Sequence, residues 1–342
     1  MLVTTAFLSL LWAYFVYAKP RTVPPKNTLI VRPEGTRPGE FTTISDAVNA
    51  LPADNSTQAI FIYPGTYREQ VNITRVGPTT LYGFTVDDST YENNTVLITH
   101  NASLATGAAS DDLTGTLRIH QDDFSMYNIN VQNTFGEAAE NGQAIAISAY
   151  GNRMGLYASQ FLSFQAGANQ TLFTLIKERK YMQSHILRPI LEKYLGLAYF
   201  EKNTIGSISA GCITANGRET NDSGIYILNG NKLVLGKDPA SNTQGNVFLG
   251  RPWGDYARVI YKNTEIGSHL NPALWSIWDP GDNRTDHVLF GTWDNTGPGS
   301  VNVSLPDFAT ALTFQEAQNY TIETALGSDY ATWVDPDYVE GC

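Results

Sequence analysis

Two amides, one guanidinium and one indole are the side chains of this sequence best suited to do chemistry together. Gln143 lies in NGQAIAIS (residues 141–148), Gln165 closes GNRMGLYASQFLSFQ (residues 151–165), and Arg251 and Trp253 lie in FLGRPWGDYARVIY (residues 248–261). A rigidly held amide N–H can donate to an oxyanion, an effect of roughly 2.7–4 kcal/mol per donor. A guanidinium fork binds a carboxylate through two parallel hydrogen bonds, and an indole face gives the C–H groups of a pyranose a flat apolar platform. Read alone, both glutamines fit better as polar corner residues bonded within their own coil. Arg251 could equally pair with Asp255 beside a core tryptophan, but Pro252, set between two strand-like runs, favours a loop that presents Arg251 and Trp253. In YPGTYREQV (residues 63–71), Gly65 suits a tight turn, and Tyr67, Glu69 and Val71 alternate onto one strand face, which is a structural pattern. There is no G-x-S-x-G, no H-E-x-x-H and no G-x-x-x-x-G-K, and the five histidines form no ligand-spaced cluster. Serine-hydrolase, metal and nucleotide chemistry are therefore poor fits.

The elements that must hold these residues are strands. Short runs rich in Val, Ile, Thr, Tyr and Phe are divided by Gly, Asn and Asp, and helical periodicity is scarce. One phrase returns with variation: FSMYNINV, RMGLYASQF, LAYFEKNTI and RVIYKNTEI place Tyr127, Tyr157, Phe200 and Tyr261 four or five residues before an apolar residue. Few two-residue Asn-Gly or Asp-Gly turns join paired strands, and the phrases recur at long, uneven intervals. That pattern predicts an all-β, right-handed parallel β-helix with loops of variable length at its corners, ahead of a β-sandwich. In FTTISDAVNALP, Thr43 or Ser45 can cap a helix with Ile44, Ala47, Val48 and Leu51 on its apolar face, ended by Pro52. This helix would close the open N-terminal end of the coil.

Composition bounds the setting. The chain of 342 residues suits one domain, residues 19–342, and its charged fraction of 16% is below the usual ~25%. An apolar run before Val16, Tyr17 and Ala18 predicts a signal peptide over residues 1–18, too short to span a bilayer in the ordinary way. Asn55, Asn72, Asn93, Asn101, Asn169, Asn221, Asn283, Asn302 and Asn319 sit in N-x-S/T sequons, which agrees with a secreted glycoprotein. Two cysteines, Cys212 and Cys342, define no disulfide framework and no metal site. A net charge of −11 argues against nucleic acid as a partner.

The four quoted stretches, in this order, resemble the pectin methylesterases (pectinesterases), carbohydrate esterases, and most closely the fungal ones. The likeness extends from GEFTTISDAVNALP to YATWVDPDYV. It implies a long surface cleft, homogalacturonan (pectin) as the partner, and hydrolysis of its methyl esters to pectate and methanol by a secreted monomer. No metal, cofactor, membrane or nucleic acid is implied. By this resemblance Gln143 and Gln165 donate to the oxyanion, Arg251 orients a nucleophilic aspartate, and Trp253 stacks on a sugar ring. A second aspartate serves as acid and base, its proton retained through like-charge repulsion.

The resemblance breaks where both aspartates belong. After Gln165 stand Ala166, Gly167 and Ala168 in place of Asp-Thr-Leu, and TLIKERKYMQSHILRPILEK (residues 174–193) stands where the family has the strand that carries the nucleophile. Residues 166–193 do not match the family. Glu178 and Glu192 are the only carboxylates from Thr171 to Lys193, neither in a family-like context, and a longer, displaced side chain would miss the ~0.5 Å tolerance of a catalytic constellation. Leu172, Leu175, Ile176, Met182, Ile186, Ile190 and Tyr194 fall near a helical period that Pro189 interrupts. A helix there would leave neighbouring coils without hydrogen-bond partners, a conflict that points to a misplaced exon boundary or a shifted frame. Three functions follow from the sequence: an esterase impaired as written, a non-catalytic pectin-binding family member, or a β-helical lyase, which the Gly-Arg-Pro-Trp stretch disfavours. Sequencing the transcript across residues 161–200 is expected to show a different reading of 166–193; an mRNA encoding the segment as written overturns the gene-structure explanation.

Overall fold

The structure is a computed structural model that describes residues 19–136, 142–163, 173–175, 179–183, 186–187, 191–192 and 196–339, with backbone only between 173 and 192. The expected signal peptide, Gln165, Glu178, Asn169 and Cys342 lie outside the described residues.

Among the described residues the strands form three sheets of eleven, eight and seven members, and every pairing between these strands is parallel. A full coil gives one strand to each sheet. Leu117–Ile119, Phe124–Tyr127 and Asn130–Asn133 make one coil, and Ile147–Ala149, Met154–Tyr157 and Gln160–Ser163 stack on it in register. This is the right-handed parallel β-helix that the strand spacing predicts. Rows of apolar residues fill its interior: Ile60, Leu81, Met126 and Leu156 follow one another through successive strands, as do Phe200, Leu228 and Tyr261, and all are buried.

The repeated phrase in the sequence is the corner of the coil. Asn128, Ala158, Lys202 and Asn263 each take a positive φ, between 45° and 53°, at the junction of two strands. A left-handed residue lets the chain turn sharply while the next strand keeps its hydrogen bonds. The residues after the corner form a buried polar ladder. The Asn231 side chain accepts from the Asn203 backbone N–H at 2.8 Å and from its side-chain amide at 3.0 Å, and donates to the Phe200 carbonyl at 3.0 Å.

The aromatic residues of that phrase do not share one role. Phe200 and Tyr261 point into the coil with the main core. Tyr127 and Tyr157 instead stack outside it at 4.6 Å, with Tyr82 5.2 Å beyond Tyr127. The C-terminal segment covers them: Tyr127 Oη donates to Asp335 Oδ2 at 3.0 Å, and the Asp335 N–H donates to Tyr157 Oη at 2.9 Å. The outer face of the eleven-stranded sheet is thus a second buried layer rather than the exposed face that simple alternation predicts.

At the N-terminal end the helix Ile44–Asn49 packs on the first strands and buries Ile44 and Ala47. Thr43 is its cap, and Glu69 accepts from the backbone N–H groups of Ile44 and Ser45 at 2.8 Å each. Glu69 therefore anchors the capping helix, and Tyr67 donates to the Tyr63 carbonyl at 2.9 Å; both are structural.

The segment that departs from the family does not break the coil. Phe173–Leu175, Arg179–Gln183, Ile186–Leu187 and Leu191–Glu192 are strands, and each pairs with a strand on both sides. The helical spacing of its apolar residues is overruled, because flanking coils would otherwise hold buried, unpaired backbone groups.

Replacing Asn231 by alanine strands the buried Asn203 N–H and the Phe200 carbonyl. At about 1–3 kcal/mol for a buried group left unpaired, Asn231→Ala is expected to lower the unfolding free energy by about 3 kcal/mol in a urea titration. A loss below about 1 kcal/mol would show that the corner ladder does not hold the coils together.

Candidate active site

The seven-stranded sheet carries the candidate site on its outward face. Its order runs Val247–Pro252, Gly211–Asn216, Leu191–Glu192, Phe173–Leu175, Ile147–Ala149, Leu117–Ile119 and Val71–Ile73. Leu249 packs in the core, whereas Arg251 and Trp253 are half-buried and lie toward solvent.

Two close approaches explain the glycines around them. A Cβ on Gly250 would lie 2.2 Å from Thr214 Oγ1, and one on Gly254 would lie 2.3 Å from the Arg218 carbonyl. Only glycine lets the strand and its following turn settle onto the preceding coil. The Asn216 carbonyl then accepts from the Trp253 N–H at 3.1 Å and the Gly254 N–H at 3.2 Å, while Arg284 donates to the Trp253 carbonyl.

A residue that the sequence reading passed over completes this cluster. Trp278 sits in a loop beyond Trp275, and the Arg251 guanidinium carbon lies 4.2 Å from its ring centroid, with that of Arg284 at 4.8 Å. Trp253 meets it edge-to-face at 4.7 Å and 75°. Arg251 Nη1 also donates to the Trp278 carbonyl at 3.4 Å. The core tryptophan is Trp275, stacked at 4.4 Å on Phe290. Nothing along the chain marked Trp278, because its role arises only beside Arg251 from another coil. A cavity of about 540 Å³ opens beside Arg251, lined also by Ser209, Cys212, Asn242, Asn246 and Phe248. Cys212 is buried.

Gln143 lies just ahead of Ile147–Ala149, four strands from Arg251, which is about 19 Å along the sheet at about 4.8 Å per strand. Its Oε1 is buried without a hydrogen-bond partner among the described residues. The three strands between Gln143 and Arg251 lie in a stretch with no aspartate, since none occurs between Asp123 and Asp222. Glu192 has its backbone on the ladder that leads through Ala215 to Arg251, about 10 Å from the arginine backbone. The sequence context of Glu192 did not disclose that alignment.

The pectinesterase family model matches residues 28–329. A pectinesterase from Aspergillus aculeatus is 34% identical over 345 residues, covering 98% of this chain and all of the relative. The chain belongs to the pectinesterase family. The crystal structure of the pectin methylesterase from Aspergillus niger superimposes with a TM-score of 0.82 at 32% identity, covering 94% of this chain and all of that one. A pectin methylesterase in complex with a hexasaccharide shares the fold at a TM-score of 0.69 and 17% identity, over 89% of this chain and 98% of that one. Pectinesterases are carboxylic ester hydrolases, and the fungal type expected from the sequence agrees with the Aspergillus relatives.

Trp278→Ala removes two cation–π contacts, each about 0.5–1 kcal/mol at a partly exposed site, and one edge-to-face contact. A loss of about 1–2 kcal/mol in unfolding free energy is expected in denaturant melts. No measurable loss would mean that the ring does not support Arg251.

Proposed function

We propose that this chain is a secreted, monomeric member of the pectinesterase family that holds methylated homogalacturonan over the seven-stranded sheet, and that its de-esterifying activity is impaired as written. The observation that carries this reading is the pairing of an assembled Arg251, Trp253 and Trp278 cluster with the absence of any aspartate from residue 124 to residue 221. Binding groups are retained where the carboxylates of the reaction are missing. A guanidinium and two indoles suffice to hold a uronate chain, because ring stacking and charge pairing need no nucleophile. Ester hydrolysis does need one: a carboxylate must attack the carbonyl, and a second group must move the proton to the departing methanol.

In this proposal Gln143 and Gln165 are oxyanion donors, Arg251 orients a carboxylate, and Trp253 stacks on a sugar. No cofactor, nucleic acid or membrane takes part. The same observation favours a second reading, a non-catalytic pectin-binding member of the family. Secretion after removal of residues 1–18 and glycosylation are supported by the exposure of every described sequon asparagine, from Asn55 to Asn319. Among the described residues no helix is long and apolar enough to cross a membrane.

The deciding measurement pairs methanol release from methylated pectin with retention of the protein on a pectin-containing gel, beside the Aspergillus niger enzyme. Retention is expected with methanol release lower by at least about 10³-fold, the scale of losing an essential catalytic group. Release at the rate of that enzyme overturns the impairment. If Glu192→Gln then abolishes it, the carboxylate in line with Arg251 is doing the chemistry. Failure of the protein to be retained overturns the pectin-binding reading.

A further inference from the structure

The arrangement of Arg251 and Trp253 recurs farther along the same face. Arg118 and His120 on one coil, and Ser148 and Tyr150 on the next, occupy the same two outward rows, two residues apart. Arg118 pairs with Ser148 in the ladder, and Leu117, Ile119, Ile147 and Ala149 between them are core residues. His120 and Tyr150 stack face to face, with centroids 4.6 Å apart and planes 10° from parallel. Their strands stand four and five places from Val247–Pro252, so this pair is about 19–24 Å from Trp253 along the sheet.

The pair is held from beneath. Asp112 Oδ1 accepts from Ser148 Oγ at 2.7 Å and lies 3.0 Å from His120 Nε2. Its Oδ2 accepts from Arg118 Nε at 3.1 Å and also from Nη2. Burial pushes the Asp112 carboxyl up, but the hydrogen bonds from Arg118, Ser148 and His120 outweigh it and hold the group below the usual carboxylate range. The Asp112 side chain is 12% exposed, whereas His120 is open to solvent and Tyr150 is half-buried. One nearly buried anion therefore fixes the imidazole ring and leaves the ring pair at the surface. Arg118 is occupied by that anion, so among the described residues this end of the face presents aromatic surface rather than an uncommitted guanidinium.

We propose that His120 and Tyr150 form a distal sugar-stacking subsite for the same extended chain that Trp253 engages, and that it takes a methyl-esterified galacturonate. Methyl esterification removes the uronate charge, and such a ring meets aromatic surface through its C–H groups without requiring a cation. This inference rests on the pectin-binding reading above. Two anchors this far apart on a rigid sheet can be engaged together only by a chain several sugars long, so the second adds affinity for long ligands alone.

The test is calorimetric binding of methyl-esterified oligogalacturonides, a trimer and an octamer, to the full-length protein and its variants. The wild type is expected to prefer the octamer. His120→Ala and Tyr150→Ala should each weaken octamer binding about five- to tenfold, the scale of one aromatic contact, and leave the trimer unchanged. Tyr150→Phe should keep the octamer affinity, and Trp253→Ala should weaken both ligands. A wild type that binds both oligomers equally, or alanine variants that keep the octamer preference, would overturn the subsite and leave the pectin-binding reading intact. A wild type that binds neither oligomer overturns that reading and the subsite with it.

Discussion

Each coil of this protein depends on backbone hydrogen bonds to the coil before it and the coil after it. A parallel β-helix has no other way to satisfy the N–H and C=O groups of a strand whose one face is buried in the core. The ladder also fixes register, because a shift of one residue would turn a whole row of side chains from the core to the surface. Ile60, Leu81, Met126 and Leu156 stay inside for this reason. For the same reason Arg118 and Ser148 meet in one outward row, and Arg251 stands two strands from Glu192.

That constraint separates the fold from the chemistry. Residues 173–175, 179–183, 186–187 and 191–192 keep a strand or strands in each sheet although no aspartate occurs from residue 124 to residue 221, since the ladder requires backbone and an apolar inner row but is indifferent to which outward side chain is present. The fold of this segment is therefore fixed by its ladder, independently of the chemistry of its outward side chains. What remains around Arg251 is consistent with that division: Trp278 and Trp253 pack on the guanidinium and on each other, and the backbone beneath is held by Asn216 and Arg284.

The coil itself was readable from the phrase around Tyr127, Tyr157, Phe200 and Tyr261, because a corner residue with positive φ between two strands leaves a recurring spacing. The division of those aromatics was not readable. Tyr157 and Phe200 occupy similar places in the phrase, yet one lies under the C-terminal segment and the other inside the coil. The partner that decides this, Asp335, is 178 residues away from Tyr157. The helical period of Leu172, Leu175 and Ile176 misled for a related reason: local periodicity is outweighed when neighbouring strands need partners. In the site, Arg251 and Trp253 were legible from a compact motif. Trp278 and the His120–Tyr150 pair were not, since each acquires its role only beside a residue from another coil.

By itself the sequence determined the family, the strand-rich coil, the cap over Ile44–Asn49 and the absence of aspartate from residue 124 to residue 221, because these reside in local spacing and in residue identity. Tertiary structure alone decided that the altered segment continues the three sheets, that Trp278 lies against Arg251, and that His120 stacks on Tyr150 over Asp112. The physical reason is that stacking coils brings together residues some 30 positions apart in the chain, such as Arg118 and Ser148, at the ~4.8 Å spacing of parallel strands. No pattern along one strand records which side chain will stand next to it on the following turn.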